Sequence, residues 1–217
     1  MEIKICGLTR EEDARSAAEA GADRVGAVLV PGTPREVSPA QAQRLGEAAS
    51  LPLTLVVADL SVAEMTEVAM RAGAAALQLH GEEDEEVFTA LRRRGSWELW
   101  KAVRVRSGPE ILAAARRWVG VADLLLLDGW HPLQRGGTGT RFPWEALEEA
   151  RNLWPAGLRL GAAGGLQPTN VAEAVTRLLP DLVDVSSGVE VSPGEKDPRA
   201  LQAFVEAARR ARAAVPR

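Results

Sequence analysis

Side chains able to move protons or hold anions recur at one kind of place in this 217-residue chain, just past a short apolar run. Cys6 ends the first run. Pro31-Gly32-Thr33-Pro34-Arg35 follows the second, Asp59 the third and His80-Gly81 the fourth. Arg104 and Arg106 follow the fifth, Asp128-Gly129 ends the sixth, Gly164-Gly165 follows the seventh and Ser186-Ser187-Gly188 the eighth. A thiol is a base only as its thiolate. A carboxyl group or an imidazole can pass a proton within hydrogen-bond reach. The planar fork of an arginine matches a carboxylate, and paired glycines let an anion approach the backbone. Each group also has a plainer use. Cys6 could be a buried core cysteine, Asp128 part of a strand-end turn, and Arg35 a surface arginine in a proline-rich turn. His80 could line a pocket or only hydrogen-bond at a strand end, and the glycines could serve tight turns alone.

What would position these groups is legible in the hydrophobic pattern. The apolar runs lie at residues 3–6, 24–30, 53–58, 76–79, 98–103, 123–127, 158–162 and 182–185. They are short and rich in Val, Ile and Leu, which suits parallel strands buried on both faces. Helical stretches follow at 11–20, 39–48, 62–72, 84–94, 110–118, 144–152, 168–178 and 198–213. Thr9 with Glu12, Ser38 with Gln41, Ser61 with Glu64 and Ser107 with Glu110 have capping-box spacing. Pro39, Pro168 and Pro198 stand near first turns, where a missing N–H costs nothing, and Asp197 suits an N-cap. Eight strand–helix units without a linker predict an α/β fold, a single-domain (β/α)8 TIM barrel over residues 1–217. An open doubly wound sheet would want a G-x-G-x-x-G turn after the first strand, and the chain has none there. In a barrel, chemistry sits at the carboxyl ends of the strands, where all the groups above fall. The loops after strands seven and eight often take phosphate, so Gly164, Gly165, Ser187 and Gly188 are the candidate phosphate cradle. The longest connection, residues 128–142, has the length of a functional loop.

Composition narrows the partners. The net charge of −4 disfavours a nucleic-acid partner, and the triplet Arg92-Arg93-Arg94 reads as a solvated helix end. With one cysteine no intramolecular disulfide can form. No stretch approaches a membrane span and no signal peptide is visible, so a cytoplasmic protein without a membrane partner is expected.

Seven segments in order carry a resemblance. They are Lys4-Ile-Cys6-Gly-Leu-Thr, Pro34-Arg35-x-Val-Ser-Pro, Leu77-Gln-Leu-His80-Gly, Leu127-Asp128, Gly136-Gly-Thr-Gly139 with Phe142 and Trp144, Ala163-Gly164-Gly165-Leu, and Asp184-Val-Ser-Ser-Gly188-Val-Glu190. Together they resemble the phosphoribosylanthranilate isomerases of tryptophan biosynthesis over nearly the whole chain. Departures are Val56-Val57-Ala58-Asp59, where the family commonly has an aromatic residue and an asparagine, and Phe142-Pro143-Trp144, where it has Phe-Asp-Trp.

The resemblance implies an Amadori rearrangement of N-(5-phosphoribosyl)anthranilate to 1-(2-carboxyphenylamino)-1-deoxyribulose 5-phosphate. Such a reaction needs an acid for the furanose oxygen and a base for the proton on C2, and it requires neither metal nor redox cofactor. By resemblance Asp128 is the general acid and Cys6 the general base. Arg35 then suits the anthranilate carboxylate, and the glycine loops the phosphate. Lys4, two residues before Cys6 on the same strand, faces the same side and would help hold the thiolate. His131 is expected to be structural or solvent-exposed, and the glycines at 136–139 to act as a hinge or a second anion nest. The partner is a small phosphorylated molecule, and the state a monomer or homodimer. Two competing readings are a related isomerase of histidine biosynthesis and a non-catalytic sensor of a phosphorylated ligand. The first would carry an aspartate where Cys6 stands, and the second would tolerate loss of Cys6 or Asp128.

Overall fold

The computed structural model describes residues 1–105, 107–129, 148 and 151–215. Eight parallel strands close into a barrel in chain order. They are β1 (Glu2–Ile5), β2 (Arg24–Val28), β3 (Leu53–Val57), β4 (Ala76–Leu79), β5 (Glu98–Val105), β6 (Leu124–Gly129), β7 (Arg159–Ala162) and β8 (Leu182–Val185). Around them lie α1 (Glu11–Glu19), α2 (Pro39–Ala49), α3 (Val62–Ala72), α4 (Glu85–Arg92), α5 (Gly108–Trp118), α6 (Val171–Leu178) and α7 (Pro198–Ala214). The α/β TIM barrel expected from the alternation is thus the fold observed. Arg106, the loop carrying Trp130, His131 and the glycines at 136–139, and most of the helix expected at 144–152 lie outside the described residues.

Strand alternation sorts side chains into two layers. One face of each strand packs against the helices, where Ile3, Ile5, Val25, Leu55, Leu77, Leu125, Leu160 and Val183 belong to the main apolar core. The other face fills the barrel, where Ala76, Trp100, Ala102, Leu124, Leu126, Ala163 and Leu182 form a separate cluster. Trp100 is wholly buried there, with its indole N–H donating to Glu98 Oε2 at 3.1 Å. The amino-terminal end of the barrel is plugged by charge of alternating sign. Arg159 reaches Glu2 at 3.0 Å and Glu98 at 3.1 Å, and Arg24 pairs with the same two carboxylates. The opposite end is left for the groups that follow the strands.

Local sequence explains the helix starts. Ser38 with Gln41 and Ser61 with Glu64 form complete capping boxes. Ser107 accepts from Glu110 N, and Asp197 from Arg199 N. Thr9 does not cap its helix. Arg10 takes the N-cap position, and the Thr9 hydroxyl donates to Gly194 O at 2.5 Å, a tertiary bond that wins over the local one. The helix expected from Pro168 begins instead at Val171, because Asn170 folds back to accept from Gln167 N and donate to Gly165 O. A short hairpin unforeseen in the sequence, β9 (Glu190–Ser192) and β10 (Glu195–Lys196), leads from β8 into α7. No helix among the described residues is long and apolar enough to cross a membrane.

Candidate active site

The register of barrel closure builds the first part of the site. β1 pairs with β8 so that Lys4 stands opposite Asp184, and Lys4 Nζ donates to Asp184 Oδ1 at 3.0 Å, both side chains buried. Cys6 continues the ladder one residue beyond β1, its N–H bonded to Val185 O at 2.8 Å. Lys4 and Cys6 both converge over Gly26 of β2, where an added Cβ would lie 3.0 Å from Cys6 Sγ and 3.0 Å from Lys4 Nζ. The missing side chain is what lets the ammonium and the sulfur share that space. Burial pushes the Cys6 thiol up, Lys4 pulls it down, Asp184 raises it and Lys196 lowers it, with a net direction above the ordinary thiol. Burial alone would depress the Lys4 ammonium, but Asp184 and Cys6 outweigh it and hold the lysine charged. The lysine is therefore where the sequence reading puts it. Its charge is already matched by a carboxylate, so it does not by itself bring the thiol below its ordinary range.

Arg35 lies in the loop between β2 and α2, its chain crossing Gly7 so closely that a Cβ there would sit 2.4 Å from Arg35 Cδ. Its Nε donates to Glu190 Oε1 at 2.8 Å and its Nη2 to Oε2 at 2.6 Å, a side-on bidentate pair. Lys196 Nζ donates to the same Glu190 Oε1 at 2.7 Å and to Ser186 O at 3.1 Å. The Glu190 carboxylate is held below its usual range: burial would raise it, but Arg35 and Lys196 overcome that.

Across the mouth, Asp128 ends β6 on the inward side, in step with Leu124 and Leu126. His80 follows β4 on the same inward side as Ala76 and Gln78, and its Nε2 lies 3.5 Å from Asp128 Oδ2. On the other ring nitrogen, Nδ1 is 3.4 Å from the Gln78 amide nitrogen. His80 is thus inside the mouth facing Asp128. Asp59 is not part of this group. With φ at 55°, it accepts from Glu82 N at 2.8 Å and gives its own N–H to Glu83, clamping two loops together. Arg104 is exposed.

The two glycine-bearing loops touch each other. Gly164 and Gly165 have φ of 79° and 67°, a left-handed backbone that favours glycine. Gly188 packs on Leu166 O so tightly that a Cβ would fall 1.9 Å from that oxygen. Ser187 and Gly188 form a single 3-10 turn directly after β8. Backbone from both loops therefore borders one small region of the barrel mouth.

The chain resembles known proteins in both sequence and fold. The family model described as N-(5'-phosphoribosyl)anthranilate (PRA) isomerase matches residues 3–207. An N-(5'-phosphoribosyl)anthranilate isomerase of Geobacter sp. (strain M21) is 44% identical over 212 residues, covering 96% of this chain and 98% of its own. The chain belongs to the phosphoribosylanthranilate isomerase family. Among solved structures, the Thermotoga maritima phosphoribosyl anthranilate isomerase is 33% identical with a TM-score of 0.85, covering 96% of this chain and 98% of its own. A phosphoribosyl anthranilate isomerase solved with reduced 1-(o-carboxyphenylamino)-1-deoxyribulose 5-phosphate is 32% identical with a TM-score of 0.82, over 96% of this chain and 98% of that one. As a member, this chain is an enzyme, an isomerase of tryptophan biosynthesis.

In this family member, sequence reading alone assigns no role to three charged groups that the structure brings to the mouth. Asp184 and Glu190 sit inside a recognised segment, and Lys196 lies in β10, just before the last helix. Asp184 had a usable signal, since an aspartate amid a Leu-Val-Asp-Val run must find a buried cation. Lys196 had none, because nothing local reveals that β9 and β10 fold it back under Arg35.

Proposed function

We propose that the barrel mouth catalyses the Amadori rearrangement of N-(5-phosphoribosyl)anthranilate, with Asp128 as general acid and Cys6 as general base. The observation that carries this reading is the placement of Cys6 just past β1 and Asp128 at the inward end of β6, three strand positions apart round the ring, Cys6 beside the buried Lys4–Asp184 pair and Asp128 facing His80. Asp128 gives a proton to the furanose oxygen. The C1–O bond breaks, and its electrons go to that oxygen while the anilino nitrogen closes a C=N bond bearing positive charge. Cys6 then takes the proton from C2, and the C2–H electrons form an enolamine that tautomerises to the ketone.

A raised thiol is a scarce thiolate but a stronger base. The cationic imine formed in the first step supplies the nearby positive charge that Asp184 cancels on Lys4, so the thiolate is favoured when C2 becomes acidic. Lys4 orients that sulfur and His80 orients the Asp128 carboxyl. Arg35 receives the anthranilate carboxylate, and the backbone at Gly164, Gly165, Ser187 and Gly188 takes the phosphate. A cytoplasmic monomer or homodimer completes the reading.

The test is turnover of phosphoribosylanthranilate by the purified chain, followed as the loss of substrate fluorescence. Turnover that collapses in Cys6→Ala and in Asp128→Asn supports the assignment. Near-normal rates in either variant would overturn it.

A further inference from the structure

The chain has 23 arginines but only three lysines, Lys4, Lys101 and Lys196, and all three are buried. Each faces a carboxylate: Lys4 meets Asp184 at 3.0 Å, Lys101 meets Glu83 at 2.8 Å and Lys196 meets Glu190 at 2.7 Å. Among the described residues, only Glu190 of these three carboxylates also holds an arginine. Burying such a group is a poor route to stability, because desolvation offsets most of the attraction. Its arrangement instead has a directional consequence. Glu190 takes the Nε edge of Arg35 and leaves the other edge of the guanidinium, formed by Nη1 and the second hydrogen of Nη2. Behind Arg35, whose side chain is 15% exposed, Glu190 is 4% and Lys196 0% exposed. Two cations and one anion leave one positive charge uncompensated.

We propose that Glu190 and Lys196 are positioning residues, a buried ion pair that locks Arg35 in place while leaving it one edge and one net positive charge for the carboxylate of an aromatic amine substrate. The inference rests on Arg35 being the carboxylate anchor. Without Lys196, Glu190 would neutralise Arg35 and repel a second carboxylate. Without Glu190, Arg35 would keep its charge, and a glutamine in that place could still accept from Nε.

Calorimetry with two ligands tests this: reduced 1-(2-carboxyphenylamino)-1-deoxyribulose 5-phosphate, and its phenylamino analogue lacking the carboxylate. The wild-type chain should prefer the first by at least about tenfold. Lys196→Met should erase most of that preference while the Kd of the phenylamino analogue stays within about twofold. The double variant Lys196→Met with Glu190→Gln should recover the preference, and Glu190→Gln alone should keep it at or above wild type. A merely structural role would weaken both ligands alike, and that result would overturn the proposal. So would a preference that survives Lys196→Met or stays lost in the double variant. If Lys196→Met does not fold by circular dichroism, Glu190→Gln decides: a lost preference sinks the idea and a retained one supports it. A wild-type chain blind to the carboxylate would overturn the Arg35 assignment as well. Wild-type turnover, measured in parallel, separates failure of this inference from failure of the proposed reaction.

Discussion

His80 Nε2 stands 3.5 Å from Asp128 Oδ2, so the ends of β4 and β6 meet across the barrel mouth through an imidazole and a carboxylate. Gln78, one inward step below His80, places its amide nitrogen 3.4 Å from Nδ1. An amide N–H donating there makes Nδ1 the acceptor and puts the ring proton on Nε2, toward the carboxylate. On the proposed reading, the imidazole then helps to orient the group that protonates the sugar. Asp128→Asn should lower kcat by ~10²-fold or more, the scale for a positioned acid. His80→Leu should cost about tenfold in kcat with a smaller change in KM, since it loosens the acid without removing it. Steady-state kinetics on both variants check the order. A His80 variant as damaged as Asp128→Asn would make the imidazole itself the proton donor.

The Cys6 environment gives a signed pH expectation. Burial raises the thiol above its ordinary value, so in the folded chain the sulfur keeps its proton to higher pH than in the unfolded chain. The folded state then binds more protons in the window between those two pKa values. That contribution to stability is complete below the unfolded thiol pKa and is lost as pH rises through the folded one. Alkylation by iodoacetamide should accordingly show a midpoint above that of free cysteine. Lys4→Met removes the lowering influence on the sulfur and leaves the raising one of Asp184, so the midpoint should move higher still. An unchanged midpoint would show that Lys4 does not act on the sulfur.

How far the sequence carries can be judged from particular residues. The strands are legible because barrel strands are buried on both faces and read as near-continuous Val, Ile and Leu runs, broken only by Thr54 in Leu53–Val57 and unbroken at residues 124–127. Ser38 and Ser61 announce their helices because a cap is a local interaction, fixed by spacing alone. Thr9 misleads for the converse reason, since its partner Gly194 is 185 residues away. The site divides along the same line. Cys6 and Asp128 are visible as polar ends of apolar runs. The Lys4–Asp184 pair depends on the register with which β8 closes on β1, and the Glu190–Lys196–Arg35 group on a hairpin of three and two residues. Neither is written in any single window of sequence.

Trp100 fills the barrel interior from β5 with no exposed surface, its ring under the Arg24 guanidinium at 5.2 Å and its N–H held by Glu98. Truncation leaves a large cavity and frees one acceptor of the charged plug. Trp100→Ala should cost ~3–5 kcal/mol in urea unfolding. Trp100→Phe, which keeps most of the volume but loses the N–H, should cost clearly less. If the two variants are equally destabilised, the hydrogen bond to Glu98 rather than the filled volume is what matters.

Gly188 tests whether the two glycine loops act as one cradle. A Cβ at this position would lie 1.9 Å from Leu166 O, and its nearest neighbours are backbone atoms rather than a flexible side-chain end. The loop after β8 must therefore move off the loop after β7 to admit even a methyl group. Overpacking of this kind costs ~1–3 kcal/mol, so Gly188→Ala should unfold at lower urea. If the touching loops also hold the phosphate, separating them breaks the cradle. The Ki of inorganic phosphate as a competitive inhibitor should then rise by about tenfold or more. Gly157 supplies the control, since its added Cβ meets nothing within 4 Å although its φ of 88° strains an alanine. Gly157→Ala should lose stability through that strain with phosphate inhibition unchanged. A Gly188 variant that is destabilised yet still inhibited by phosphate at the original concentration would move the anion site away from these loops.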